Sequence, residues 1–547
     1  MEERTMSERT DARPTRLKEH NISLRSAVMI MYCLVAAGAF GIEEMIPESG
    51  PGMTVIMLCV LPFLWAGPQA LVSAELGSAM PEVGGFYKWV QRGLGEFWGF
   101  QACWCRTLSC YLDNTLYIVL AVSYVGFVVP MGPVQSYLLK AAFIFIFSYI
   151  NIRGLREISW VSNVISITIL ATFAVIAVTG LTHWEYNPVS PLIPEDYTLF
   201  ASVGASLSIG MWMYSGYTAM SNLAGEIKDK SVIYRGLLIV LPLTTLSYVL
   251  PTVASLASVG QWEEWSTTGG VSFGHTLAIL GSWGIPVFMI VATLSNLSIF
   301  NTQMVAVTRG FFSMSEDNLA PKAISRLHKR FRTPYVGILS MTVFCLIACT
   351  FDFSILVTVD VMLLMVDYVL VFFSAARLRY TEPDMERPFR IPLGRRGVAL
   401  LVSPAILIAL FALFLNGADY FLGGMAGLVS SPVVYVIWRR MYGGMSKIDP
   451  EAYPSNPRTK LGKGDLHRTA IIFLLFGALG VIGAFAFFPW YEADWGEYYM
   501  EVYGGTDPFA FIILAIKCLS VVYLITGIVL KYFAVKIDPK SPGAGIW

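Results

Sequence analysis

Charge is what this sequence has least of. Only 14% of its 547 residues are Asp, Glu, Lys or Arg, against about 25% in an average soluble domain. That scarcity excludes an ordinary water-soluble fold. The five histidines are scattered and the eight cysteines form no CxxC pair, so neither a metal site nor a disulfide framework is expected. No GxxxxGK(S/T) loop occurs and no polar stretch is long enough for a nucleotide-binding domain, which argues against ATP-driven pumping. No nucleophile–base cluster falls within the apolar runs, so no catalytic centre is expected. Net charge is zero, and nothing marks a cofactor or a nucleic-acid partner. A cleavable signal peptide is also missing: the first 25 residues are polar and basic, leaving the first hydrophobic helix to direct insertion.

What is present is apolar. Hydrophobic residues make up 55% of the chain, in runs of roughly 20 that recur from end to end. The expected fold class is an all-α polytopic membrane protein with about 14 spans, its main partner the lipid bilayer. Residues 1–24 form a basic tail. Spans 1–5 occupy residues 25–182, spans 6–10 residues 198–380, and spans 11–12 residues 396–442. A polar link (443–467), spans 13–14 (468–535) and a short tail (536–547) complete the chain. Lys and Arg gather in every second connection, as in KWVQR, NIRGLR and KAISRLHKRFR. The alternate connections, such as PESGPG, THWEYNPVSPLIPEDY and YEADWGEYY, contain none. The positive-inside rule then places both termini in the cytoplasm of a cell (plasma) membrane protein.

Two spans read as broken. Span 1 contains LVAAGAFGIEEMIPE, with Gly38 and Gly41 followed at once by Glu43 and Glu44. Span 6 contains YSGYT, Tyr214 to Thr218, with Ser215 and Gly216 between Tyr214 and Tyr217. Interrupted helices at corresponding positions of two halves point to a transport site, because unwound backbone offers free N–H and C=O groups to a solute. The alternative is a pair of glycine packing notches. Ala37, Gly38, Ala39, Phe40, Gly41, Ile42, Tyr214, Ser215, Gly216, Tyr217 and Thr218 are therefore the candidate substrate contacts.

Ionisable groups at membrane depth are candidate gates or coupling sites. Arg106 and Asp113 lie seven residues apart on span 3, on nearly one face but too far apart along it to touch, so each needs a partner elsewhere. Glu43 or Glu44 is the candidate partner of Arg106, and a structural ion pair between spans 1 and 3 is the competing reading. Asp367 on span 10 is a candidate to bind a substrate amine or relay a proton. Asp360 lies nearer the outer end. Glu75 on span 2 reads as gate or structure. Asn296 belongs to a polar cluster on span 8 that either lines a cavity or joins helices. Which of Glu43 and Glu44 faces the cavity is open.

Several blocks resemble one family. AFGIEEMI, PQALVSAELGSAMPEVGGFYKWV, GFQACWCRTLSCYLDNTLY, NIRGLRE, YSGYTAMSNLAGEIKD and RPFRIPLG are similar to landmarks of the amino acid–polyamine–organocation superfamily of secondary transporters. FGIEE and DNTLY look most like its plant-type polyamine and L-type amino acid permease branch. The resemblance implies a five-plus-five inverted repeat of the leucine-transporter type with discontinuous helices 1 and 6. It also implies alternating access, a substrate carboxylate or amine at residues 37–42, and Tyr217 as an aromatic gate. Three positions depart from the pattern. Ala39 and Phe40 stand where a small hydroxyl residue is usual. Thr218 stands where the plant polyamine branch has Asp. Span 5 lacks the Lys of some proton-coupled members. The leading expectation is an amino acid transporter, working as exchanger or proton-coupled carrier, with a small-molecule amino acid or amine as substrate and a proton or counter-substrate as partner. The alternative is a polyamine or other organic-cation transporter. A nutrient sensor would need a large signalling domain, which the short tails do not provide, and a channel would need a continuous pore.

Overall fold

The computed structural model describes residues 23–537, apart from residues 36–37, 83, 155–157, 196, 219–228, 230, 332 and 493–495. In place of span 1 stand two short helices, α1 (Leu24–Val35) and α2 (Ile42–Ser49). Span 2 consists of α3 (Pro51–Leu61) and α4 (Gly67–Ala79), joined by a π-helical turn at Pro62–Ala66. Prolines lack an N–H donor, and the wide turn absorbs Pro62 and Pro68 without ending the helix. The chain continues through α5 (Gly85–Leu94), α6 (Glu96–Val128), α7 (Pro133–Arg153), α8 (Ile158–Thr182) and α9 (Leu199–Met213). Next come α10 (Ser231–Val259), α11 (Phe273–Ala278), α12 (Gly284–Glu316), α13 (Tyr335–Ala348), α14 (Phe353–Thr381), α15 (Arg395–Leu415) and α16 (Ala418–Tyr442). It closes with α17 (Asp465–Ile482), α18 (Phe488–Tyr491), α19 (Gly496–Tyr503) and α20 (Pro508–Ile537).

Among the described residues, 11 helical stretches are long and apolar enough to cross a membrane. The difference from about 14 lies in three segments. Span 1 is split, and α9 and α13 have only 15 and 14 residues. At 1.5 Å per residue these pieces reach about 12–23 Å, short of a ~30 Å hydrocarbon core.

The 33-residue α6 is the axis of the bundle, packed against α12, α14, α5 and α16. Spans at the periphery turn apolar side chains outward: Leu138, Phe145 and Ile146 on α7, Phe511, Leu514 and Ile525 on α20. Lipid takes the place of water against such faces. A second, smaller core holds Phe421, Met425, Phe473, Phe488, Ile516 and Tyr523. It joins α17 and α20 to α16, away from the two breaks.

At the end of the bundle where α4 and α14 finish, a buried charge network ties two landmark blocks to α14. Glu75 accepts from Arg379 Nε at 2.7 Å and from a second Arg379 nitrogen. It also lies 3.0 Å from Arg387 Nε and accepts the Ile391 N–H at 2.9 Å. The RPFRIPLG segment is thus strapped onto the AELG helix. The expectation that Glu75 is gate or structure fits this pairing. Beside it, Tyr87 and Lys88 of α5 reach Asp317 at 2.5 and 2.6 Å, so α5 is pinned to the end of α12.

Candidate functional site

The two breaks meet. Between α1 and α2, Gly38 and Gly41 take φ of +109° and +92°, a left-handed backbone that ends one helix and re-aims the next. A Cβ on Gly38 would come within 2.5 Å of the Phe40 ring and 2.7 Å of Phe173. Gly38→Ala is therefore expected to cost about 1–3 kcal/mol of stability and to lower transport, read as a fall in the apparent melting temperature and in uptake. α9 ends at Met213, followed by Gly216 at φ +109°. α2 packs on α9, so the two irregular stretches are neighbours.

Backbone groups freed at the second break are taken up by side chains. Met211 C=O accepts from the Ser215 hydroxyl at 2.5 Å and the Trp65 indole at 3.2 Å. Met213 C=O accepts from Tyr248 at 3.1 Å. The Gly216 N–H donates to Tyr368 Oη at 2.9 Å, and the break in turn sends Tyr214 Oη to donate to Leu58 C=O of α3 at 2.7 Å. Satisfying these groups is obligatory for irregular backbone at this depth.

A narrow cavity lies between the breaks, lined by Gly38, Phe40, Tyr117, Trp212, Tyr248 and Asn296, among others. Of the expected contacts, Gly38 and Phe40 line it and Asn296 joins them from α12. Ala39, Ile42, Tyr214, Ser215, Tyr217 and Thr218 are buried, Gly216 is half-buried, and none of them is part of the wall. Ala37 lies outside the described residues. Tyr217 is fully buried and is not part of the wall, where the large ring from this segment is Trp212. Trp212 packs edge-on to Phe353 and tilts toward Tyr117, while Phe40 sits among Tyr124, Phe173 and Phe288. Gly41 abuts the Trp212 and Phe353 rings, so aromatic side chains close the cavity on the α2 side.

The acids separate into distinct environments. Glu43, in the first turn of α2, is fully buried. Its Oε2 accepts the Gly41 N–H at 3.0 Å, and Tyr124 Oη stands 3.3 Å from both carboxylate oxygens. Glu44 points to the 260–272 loop, where its Oε1 accepts the Thr267 N–H at 2.7 Å and hydroxyls from Thr267 and Ser266 at 2.5 and 3.1 Å. Neither acid pairs with Arg106, correcting that expectation: Glu43 is already engaged by Gly41 and Tyr124, and Glu44 by the 260–272 loop. Arg106 is buried under the Tyr368 ring, 5.7 Å from its centroid, with no ion pair within 4.0 Å among the described residues. Asp113 accepts from the Trp212 indole at 2.8 Å and from Gln303 at 3.4 Å. Asp360 accepts from Ser109 at 2.6 Å through one oxygen, and its other oxygen has no partner among the described residues. Asp367 is fully buried, and neither of its oxygens has a hydrogen-bond partner among the described residues. Asn296 donates back to Ala292 C=O at 2.9 Å.

Sequence reasoning missed Trp212, Tyr117, Tyr124, Tyr248 and Tyr368. The signals were present. Trp212 stands one residue pair before YSGYT, Tyr117 ends DNTLY, and Tyr368 follows Asp367 directly. Among the described residues, no cluster of His, Cys, Asp and Glu is suited to a metal ion.

A family model described as amino acid permease matches residues 22–438. A probable polyamine transporter of Arabidopsis thaliana is 29% identical over 400 residues, 72% of this chain and 79% of its own. A polyamine transporter of Oryza sativa subsp. japonica is 29% identical over 436 residues, 77% of this chain and 80% of its own. A second Arabidopsis polyamine transporter is 28% identical over 404 residues, 72% and 81% of the two chains. With more than half its length matched, and with broken-helix geometry inside the matched span, this chain belongs to the amino acid permease family of the amino acid–polyamine–organocation superfamily, a family of membrane transporters and not of enzymes.

Proposed function

We propose that this secondary transporter carries polyamines or other organic cations by alternating access, rather than the amino acids that the sequence alone put first. The observation that carries the reading is the unsatisfied acid in its interior. Asp367 has no hydrogen-bond partner and Asp360 lacks one for one oxygen among the described residues, beside an Arg106 that makes no close ion pair. A bare carboxyl group at membrane depth is costly until a cation or a proton arrives. Asp113, bonded to the cavity-lining Trp212, and Glu43, in the helix that follows the lining residues Gly38 and Phe40, are two more buried acids behind the cavity wall. The names of the relatives in Arabidopsis and rice support the same class.

The supporting frame is a five-plus-five inverted repeat, with the breaks after α1 and α9 in corresponding positions and the cavity between them. In this reading both termini are cytoplasmic, which the Lys and Arg distribution supports, and the membrane is the plasma membrane. Aromatic closure on the α2 side then corresponds to a state shut toward the outside. A proton or a counter-substrate provides the work.

Arg106 favours a second reading, an amino acid whose carboxylate meets the guanidinium. A thermal-shift screen separates the two. Spermidine and putrescine are expected to raise the apparent melting temperature, a ligand at 100 times its Kd adding about 2.7 kcal/mol. Shifts with amino acids alone would overturn the cation reading.

A further inference from the structure

We propose that Glu43 is a built-in carboxylate that fills the place a substrate carboxylate would take, and so selects amines over the corresponding amino acids. This deepens the organic-cation reading and rests on it. The positive end of a half-helix at such a break is where a carboxylated substrate is held, through free N–H groups and the helix dipole. Here α2 supplies that end, starting at Ile42 after Gly41. The Gly41 N–H is not free, because it donates to Glu43 Oε2 at 3.0 Å. The Tyr124 hydroxyl faces the same carboxylate, 3.3 Å from each oxygen.

Glu43 is fully buried, and Phe40 packs on the ring of Tyr124. Gly38 and Phe40, in the segment just before it, form part of the cavity wall. A carboxylate brought to this helix end therefore finds the Gly41 donor already in use and the place beside it filled by the Glu43 carboxyl group. A polyamine carries no carboxylate and meets neither obstacle. Discrimination of this kind works by penalising the wrong ligand rather than by improving the right one.

The test uses pairs of compounds that differ only by a carboxylate: agmatine against arginine, and putrescine against ornithine. Each competes with labelled spermidine for the purified full-length protein. The wild type is expected to prefer each amine by roughly a hundredfold or more, a difference of about 2.7 kcal/mol. Glu43→Ala is expected to narrow that ratio at least tenfold, through tighter binding of the amino acid and not through weaker binding of the amine. Glu43→Gln keeps an acceptor for the Gly41 N–H and removes the charge, so it narrows the ratio less; where the alanine variant does not fold, this variant decides. Unchanged ratios in the variants that fold, or equal loss of both ligands, would overturn the proposal. A wild type that binds no amine at all would instead overturn the cation reading beneath it.

Discussion

Asp367→Asn is expected to abolish saturable uptake, lowering its rate roughly a hundredfold or more, while leaving the protein as stable as the wild type or slightly more so. The opposite signs follow from one fact: neither carboxylate oxygen of Asp367 has a hydrogen-bond partner among the described residues, although the side chain is fully buried. An unpartnered buried acid contributes nothing to folding, so converting it to a neutral amide of the same shape removes a cost. Such an acid at membrane depth points to function, where it receives a substrate ammonium or a proton. The neighbouring Tyr368 links it to the backbone of the second break, through the Gly216 N–H. Arg106 lies under the same ring. A change of charge at Asp367 is therefore felt where α9 ends. Uptake in proteoliposomes and the apparent melting temperature are measured on the same preparation. Near-normal uptake by the asparagine variant would remove Asp367 from the mechanism, and a large loss of stability would make it a structural residue.

Arg379→Ala is expected to behave in the contrary way, destabilising the protein by about 3–5 kcal/mol. Arg379 is almost wholly buried and satisfies both oxygens of Glu75 as well as the carbonyls of Ile391 and Leu393. Removing it strands a buried acid, with only Arg387 and the Ile391 N–H to compensate. The strap formed by residues 387–394 then loses its anchor on α4. Replacing both charged partners with neutral residues, as in Glu75→Gln with Arg379→Met, is expected to recover much of the loss, because a buried pair is often exchangeable for apolar packing. The check is the yield of monodisperse protein after heating. A double variant no better than Arg379→Ala would show that the guanidinium's contacts with the carbonyls, and not the ion pair, hold this end together.

The broad architecture was legible because hydrophobic run length speaks directly to membrane spans. The first break was legible for a local reason: Gly38 and Gly41 adopt a backbone that few other residues tolerate, and Glu43 and Glu44 mark the new helix start. The environments of those two acids were not legible. They are adjacent in sequence, yet one turns in to Gly41 and Tyr124 and the other out to Thr267, 223 residues further along the chain. The partner of Arg106 was misread for the same reason. Spacing on α6 says which face it occupies but not that α14, rather than α2, brings the groups beside it. The cavity wall was half legible. Phe40 and Asn296 were named, but Trp212 was passed over because it precedes the glycine that drew attention to YSGYT.

The most direct test of the cation reading is uptake of labelled spermidine and putrescine beside a panel of labelled amino acids, in proteoliposomes containing the full-length protein. Saturable polyamine uptake, competed by unlabelled polyamines and not by neutral amino acids, is the expected result. Saturable amino acid uptake with no polyamine uptake would contradict it.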